Sequence, residues 1–230
     1  MLRYLLSLSL LLVFAGVNAQ KADEELTKEE KKLANKGNPG IAIGLDLAPF
    51  INHLFANERF GFEASARYTV NKKWQAVAEL GYENVDLNND KMNYTSDGSF
   101  IRVGVDYNIF NVEEIGNNDN ILLGFRYGAA IQEHSCPRYT ITEDYWGSVN
   151  GSFSPSTVGS HWGEFVFGLR SEILKNFYMG WSVRFRTVFS VAKDNALEPY
   201  SIPGYGRRDR STNMGFTYTL EYKLPFKKRN

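Results

Sequence analysis

Few residues in this chain could carry catalysis: three histidines, His53, His134 and His161, and one cysteine, Cys136. A nucleophile needs a base within hydrogen-bond reach. Glu133-His134-Ser135 and Ser160-His161 place His directly beside Ser, and adjacent residues on a strand point to opposite faces. Neither pair therefore makes a nucleophile and its base, and the lipid-modifying enzyme class, which would need such a couple facing one way, is disfavoured. His134 and Cys136, two apart, share a parity and reach for a soft metal with His161, but a closed tetrahedral site needs a fourth ligand. The stretch Asn88-Asn89-Asp90 lacks the regular oxygen spacing of a calcium loop. The expectation is no catalytic centre, no metal and no cofactor.

The chemistry that the spacing does favour is ion pairing. Asp46, Glu63, Glu79, Glu83, Asp106, Glu164, Glu172 and Glu221 stand against Arg67, Arg102, Arg126, Arg170, Arg184, Arg186 and Lys223, and each occupies the second position of an alternating run. Ile101, Val103, Val105, Tyr107 and Ile109, for example, are interleaved with Arg102, Gly104, Asp106 and Asn108. A period of two means strand. The same alternation recurs over residues 41–47, 59–70, 74–83, 101–109, 121–132, 164–173, 177–189 and 213–226. An even number of strands of about ten residues predicts an all-β, eight-stranded antiparallel transmembrane β-barrel.

Which face points out is decided by chemistry. Of thirteen lysines only Lys223 lies on the charged face, whereas a solvated face is normally lysine-rich; Arg with Asp and Glu suits pairs held away from bulk water. Glycines such as Gly104, Gly124 and Gly128 share that face, leaving room for long side chains in a narrow eight-stranded interior. An Arg turned to lipid at mid-depth costs about 2 to 4 kcal/mol, so several would exceed a typical net stability of about 5 to 15 kcal/mol. The charges are expected in the lumen. On the other face, Tyr68, Trp74, Phe177, Tyr222 and Phe226 near the short turns, and Phe60, Tyr82, Phe189 and Phe216 near the long loops, read as two interfacial girdles.

Residues 1–19 read as a cleaved signal peptide: Arg3, an apolar run, then Val17-Asn18-Ala19. Without Arg3 the chain holds 25 Lys and Arg against 26 Asp and Glu, a balance that offers nothing to nucleic acid. Residues 20–39 are a charged tail with little to bury, 40–226 the barrel, and 227–230 a basic overhang. The lone Cys136 excludes an intramolecular disulfide. The connections at 71–73 and 174–176 are short, while 84–98, 133–161 and 190–210 read as long loops. Short turns belong on the periplasmic side and long loops outside, which predicts an outer-membrane protein with both termini periplasmic.

Tyr94-Thr95-Ser96-Asp97-Gly98, Gly104-Val105-Asp106-Tyr107-Asn108, Gly124-Phe125-Arg126-Tyr127-Gly128, Tyr145-Trp146-Gly147, Gly180-Trp181-Ser182-Val183-Arg184, Ile202-Pro203-Gly204-Tyr205-Gly206 and Tyr222-Lys223-Leu224-Pro225-Phe226 together resemble a family of uncharacterised outer-membrane β-barrel proteins of Gram-negative bacteria. The resemblance implies the fold and the compartment, and it carries over no activity.

For function, the sequence leads to a non-catalytic structural or surface-interaction role in the envelope. The alternative is a narrow pore for ions or small solutes through the charged lumen. In the third loop Tyr139, Tyr145, Trp146, Phe153 and Trp162 stand among Ser, Gly and Thr, a mixture that gives contact area at low entropic cost and suits an extracellular glycan or protein. The expected partners are outer-membrane lipid, the outer-membrane insertion machinery during biogenesis, and that extracellular ligand; the chain is expected to be a monomer.

Overall fold

The structure is a computed structural model that describes residues 40–55, 58–110, 118–143, 147–191, 198–209 and 211–226. The signal peptide at 1–19, the tail at 20–39, the overhang at 227–230, and Tyr145 and Trp146 lie outside the described residues. The elements are β1 (Gly40–Asp46), α1 (Ala48–Phe55), β2 (Arg59–Thr69), β3 (Trp74–Asn88), β4 (Met92–Asn108), β5 (Asn120–Glu143), β6 (Gly147–Leu174), β7 (Phe177–Val191), β8 (Ser201–Ile202), β9 (Gly206–Arg207) and β10 (Thr212–Pro225). Eight strands close into a barrel in the order β1-β10-β7-β6-β5-β4-β3-β2, with every neighbouring pair antiparallel. Closure pairs every strand on both sides over the shared span, so that part of the wall has no edge.

The period-two pattern sorts polarity across the wall. Ile43, Leu80, Ile101, Phe125 and Phe165 are each 50% or more exposed on the outside, while Arg102 is 0% and Glu79 3% exposed inside. This is the inverse of a water-soluble barrel, and a bilayer is the medium that accepts it. The short turns are built by asparagine: Asn71 Oδ1 accepts the backbone N–H groups of Lys73 and Trp74, both at 2.8 Å, and Asn176 adopts the left-handed conformation at φ 64°, which Asn tolerates better than most residues.

Two regions expected as long loops are strand instead. Residues 84–98 mostly continue β3 and open β4, which stay paired up to Asn88↔Asn93, and most of 133–161 belongs to β5 and β6, paired up to Glu143↔Gly147. Beyond the apolar belt the outward positions turn polar, as at Asp86, Asn88, Thr95 and Asp97, while Val85 and Tyr94 are buried on the inner side, so the alternation that marks the spanning part reverses although pairing continues. Register shifts interrupt the β5–β6 ladder between His134 and Cys136 and between Cys136 and Tyr139. Pro137 and Pro155 fall at these irregularities, where a residue without an N–H is tolerated. Cys136 accordingly lies in a strand, 3% exposed, and not in a loop.

The loop expected at 190–210 also departs from expectation. Its β8–β9 hairpin folds into the mouth of the barrel, with Ile202 and Tyr205 both 0% exposed. Ile202 and Tyr205 join Phe100, Ala130 and Trp162 in an apolar cluster inside the mouth. Gly204 turns the hairpin at φ 73°, where a Cβ would lie 2.6 Å from the Phe100 ring.

Candidate functional site

The lumen network is positioned by strands whose charged residues share the inward parity. At mid-height, Arg184 Nη1 and Nη2 donate to Glu79 at 2.6 and 3.0 Å. Arg184 is on β7 and Glu79 on β3, diametrically opposite in the closed order, so this bidentate pair crosses the full width of the barrel. Arg102 contacts Glu63, reaches Glu79 Oε2 at 2.8 Å and Glu164 Oε1 at 3.4 Å. Arg186 Nε stands 3.4 Å from the same Glu164 oxygen.

Below this layer Asp106 is gripped by Arg67 and by Arg126, whose Nη1 is 2.7 Å away. Glu221 bridges Arg67 at 3.3 Å and Arg170 at 2.7 Å, and the Arg170 guanidinium stacks 3.6 Å over the Tyr178 ring. Arg126 ties the layers together through Glu79 Oε1 at 3.6 Å. Asp46 accepts two backbone N–H groups, and Glu83 pairs with Arg59 at 3.3 Å near the mouth. Glu172 sits apart at the short-turn end, taking the Asn176 N–H at 2.6 Å, and Lys223 is buried near that end, opposite Ala42. The guanidinium groups of Arg67, Arg102, Arg126, Arg170, Arg184 and Arg186 thus meet the five carboxylates of Glu63, Glu79, Asp106, Glu164 and Glu221, with Asp46 buried nearby on its backbone donors. Multiple ion pairing is what makes burial of so many charges tolerable. Within the network lies a cavity of about 30 Å³ bordered by Asp46, Glu63, Arg67 and Glu79 and by the apolar Leu122 and Val166, room for about two waters.

The hairpin caps this network. Arg102 Nη1 donates to Gly204 O at 3.3 Å and Arg186 Nη1 to Tyr205 O at 3.1 Å. Glu83 accepts the Gly204 N–H at 3.3 Å, and Gln132 Nε2 donates to Ser201 O at 2.7 Å. Sequence reading left out Arg59, Gln132, Phe100 and the hairpin as partners of the charges. The parity of Phe100 with Arg102 is a signal that could have placed that ring inside.

Of the expected recognition set, the described members Tyr139, Phe153 and Trp162 divide between two places. Trp162 is a correction: it is 0% exposed inside the barrel, its Nε1 donating to Glu164 Oε1 at 2.7 Å and its ring meeting Tyr205 at 5.9 Å. Parity with Glu164 explains this, since both sit on the lumen side of β6. Tyr139 and Phe153 are half-buried and pack on a second small core of Val85, Tyr94 and Cys136, joined by Tyr200 from the segment before the hairpin. This core stiffens the part of the sheet that rises above the apolar belt.

The histidines fall in three separate places. His53 lies on α1, His161 faces outward between Tyr127 and Phe189, and His134 is 1% exposed beside Phe153, with ring centroids 5.1 Å apart. Cys136 Sγ donates to Arg138 O at 3.2 Å. Among the described residues no three of His, Cys, Asp and Glu gather as metal ligands.

His134 lies above the spanning part of β5, and burial pushes its imidazole pKa below the ordinary value. Neither ring nitrogen has a hydrogen-bond partner among the described residues. The folded state therefore binds this proton more weakly than the unfolded chain. Its stabilising contribution is present above about pH 6.5 and is lost as the pH falls below that value. After correction for the intrinsic pH dependence of amide exchange, protection of the β5–β6 extension is expected to fall on acidification from pH 7 to 5, and His134→Leu should flatten that fall; an equal loss of protection in both proteins would contradict the assignment.

Comparison with known proteins adds a family and a fold likeness. The family described as Domain of unknown function (DUF6048) matches residues 1–229. No curated protein sequence matches the chain. The crystal structure of Ail, the attachment invasion locus protein of Yersinia pestis, is similar at 11% identity and a TM-score of 0.43, covering 82% of this chain and 99% of that one. A second structure of Ail, in complex with the heparin analogue sucrose octasulfate, gives 13% identity and a TM-score of 0.40 over the same shares.

Proposed function

We propose, for this chain that belongs to the DUF6048 family, a non-catalytic role as a closed outer-membrane scaffold that holds a stiff β-sheet away from the cell surface for contact with an extracellular glycan or protein. The observation that carries this is strand length. β5 has 24 residues and β6 has 28, whereas about 9 to 11 suffice to cross a bilayer. At roughly 3.3 Å per residue, more than half of this hairpin stands beyond the apolar belt, and the small core around Tyr94 and Cys136 keeps it rigid.

Support for a scaffold over a pore comes from the lumen, where Arg184 and Glu79 clasp across the diameter under a hairpin cap. In this reading both termini are periplasmic, the outer-membrane insertion machinery places the chain, and it works as a monomer surrounded by lipid.

The test is to replace residues 137–152 by an Asn-Gly turn, which suits a two-residue hairpin, and to display wild type and variant on cells. Binding to glycan arrays or host matrix proteins is expected for the wild type and lost in the variant at equal surface display. Binding that persists in the variant, or is absent from both, would overturn the role.

A further inference from the structure

The wall has a notch. β1 pairs with β10 only as far as Asp46↔Thr219 and with β2 as far as Asp46↔Glu63, yet β10 runs on to Thr212 and β2 to Arg59. Above that level β10 is paired with β7, and β2 with β3, so two strand edges face each other with no strand between them. Such edges are costly in lipid, because no water is there to satisfy them.

The segment that follows β1 takes the place of the missing strand. Leu47 N–H donates to Tyr218 O at 2.8 Å. The Asp46 carboxylate accepts the Tyr218 N–H at 2.9 Å and, with the same oxygen, the Ala48 N–H that opens α1, also at 2.9 Å. On the opposite edge His53 Nδ1 lies 3.0 Å from Arg59 O, and its ring meets the outward Phe60 edge-on at 5.5 Å. α1 is therefore built into the wall between β10 and β2.

The helix then turns an apolar face outward. Phe50, Ile51 and Leu54 lie on one side of a helix that advances about 100° per residue, and they are 44, 44 and 79% exposed. That face is continuous with the apolar belt: Leu45 below it, Phe60 and Phe62 on β2, and Met214 and Phe216 on β10 are all exposed. Asn52, also exposed, lies about 100° round the helix from Ile51, at the polar margin of that face. We propose that α1 is a lipid-contacting plate that closes the notch, its Phe50, Ile51 and Leu54 face taking the acyl chains of the leaflet around the loop-bearing end of the barrel. The inference rests on the barrel being a membrane protein, so its test carries a separate control for that reading.

Nitroxide labels placed at Leu54→Cys, Ile51→Cys, Asn52→Cys and, as the control, Val103→Cys, each with Cys136→Ser, are compared in phospholipid vesicles by collision with oxygen and with a water-soluble nickel chelate. Labels at 51, 54 and 103 are expected to favour oxygen, and the label at 52 the chelate. If 103 reports lipid while 51 and 54 report the chelate, α1 is a solvent-facing helix and the inference fails alone. If 51 and 54 are shielded from both agents, a protein surface covers the helix and the inference fails as well. If 103 itself reports water, the membrane reading fails with it.

Discussion

Glu79→Gln is expected to destabilise the folded barrel by about 3 to 5 kcal/mol, the usual cost of removing one partner from a buried ion pair. Glu79 is 3% exposed and faces Arg102 at 2.8 Å, Arg126 at 3.6 Å and Arg184 at 2.6 Å. Neutralising it leaves three buried guanidinium groups sharing fewer counter-charges. The measurement is urea unfolding in lipid vesicles, read as a fall in midpoint at unchanged slope. Adding Arg184→Gln should cost much less than the sum of the two single changes, because residues in one network couple. A loss below about 1 kcal/mol, in the range of exposed pairs, would mean that the pair across the lumen contributes little.

Trp162→Ala is expected to cost a similar amount, about 3 to 5 kcal/mol, and to have a second consequence that Glu79→Gln lacks. The indole packs against Tyr205 and within the cluster that contains Ile202 and Phe100, and it orients Glu164 by a hydrogen bond of 2.7 Å. Without it the hairpin loses its main apolar seat while the strand pairing of β6 with β5 and β7 remains. Hydrogen exchange over residues 199–208 should rise to that of an exposed turn, with the barrel strands still protected. Continued protection of Ile202 and Tyr205 amides in the variant would show that the polar contacts at Gly204 and Ser201 hold the hairpin unaided.

These two sites also mark how far the sequence could be read. Arg102 and Asp106 sit inside β4 as their alternation with Val103 and Val105 requires, because period two leaves one choice once lipid excludes charge from the outer face. That Arg184 would clasp Glu79 was not legible, since it depends on β7 and β3 being opposite in the closed order, a property of the ring and not of either strand. Trp162 differs for another reason: composition groups it with the loop aromatics, whereas parity places it with Glu164 on the lumen side of β6. The hairpin around Gly204 is too short to show a period, and its two apolar residues, Ile202 and Tyr205, look like loop content until the mouth of the barrel closes over them. The rising parts of β3 to β6 do not read as membrane strand because polarity reverses there, with Asp86 and Thr95 outside and Val85 and Tyr94 within.

The most direct measurement of the central claim, that opposed charges seal a membrane-spanning barrel, is single-channel recording of the wild-type protein in planar bilayers, with insertion verified by protease protection of the spanning strands. Inserted protein is expected to give no current steps at any applied voltage. Discrete steps from the wild type would contradict the claim, since ions would then be crossing the plane in which Arg184 and Glu79 meet.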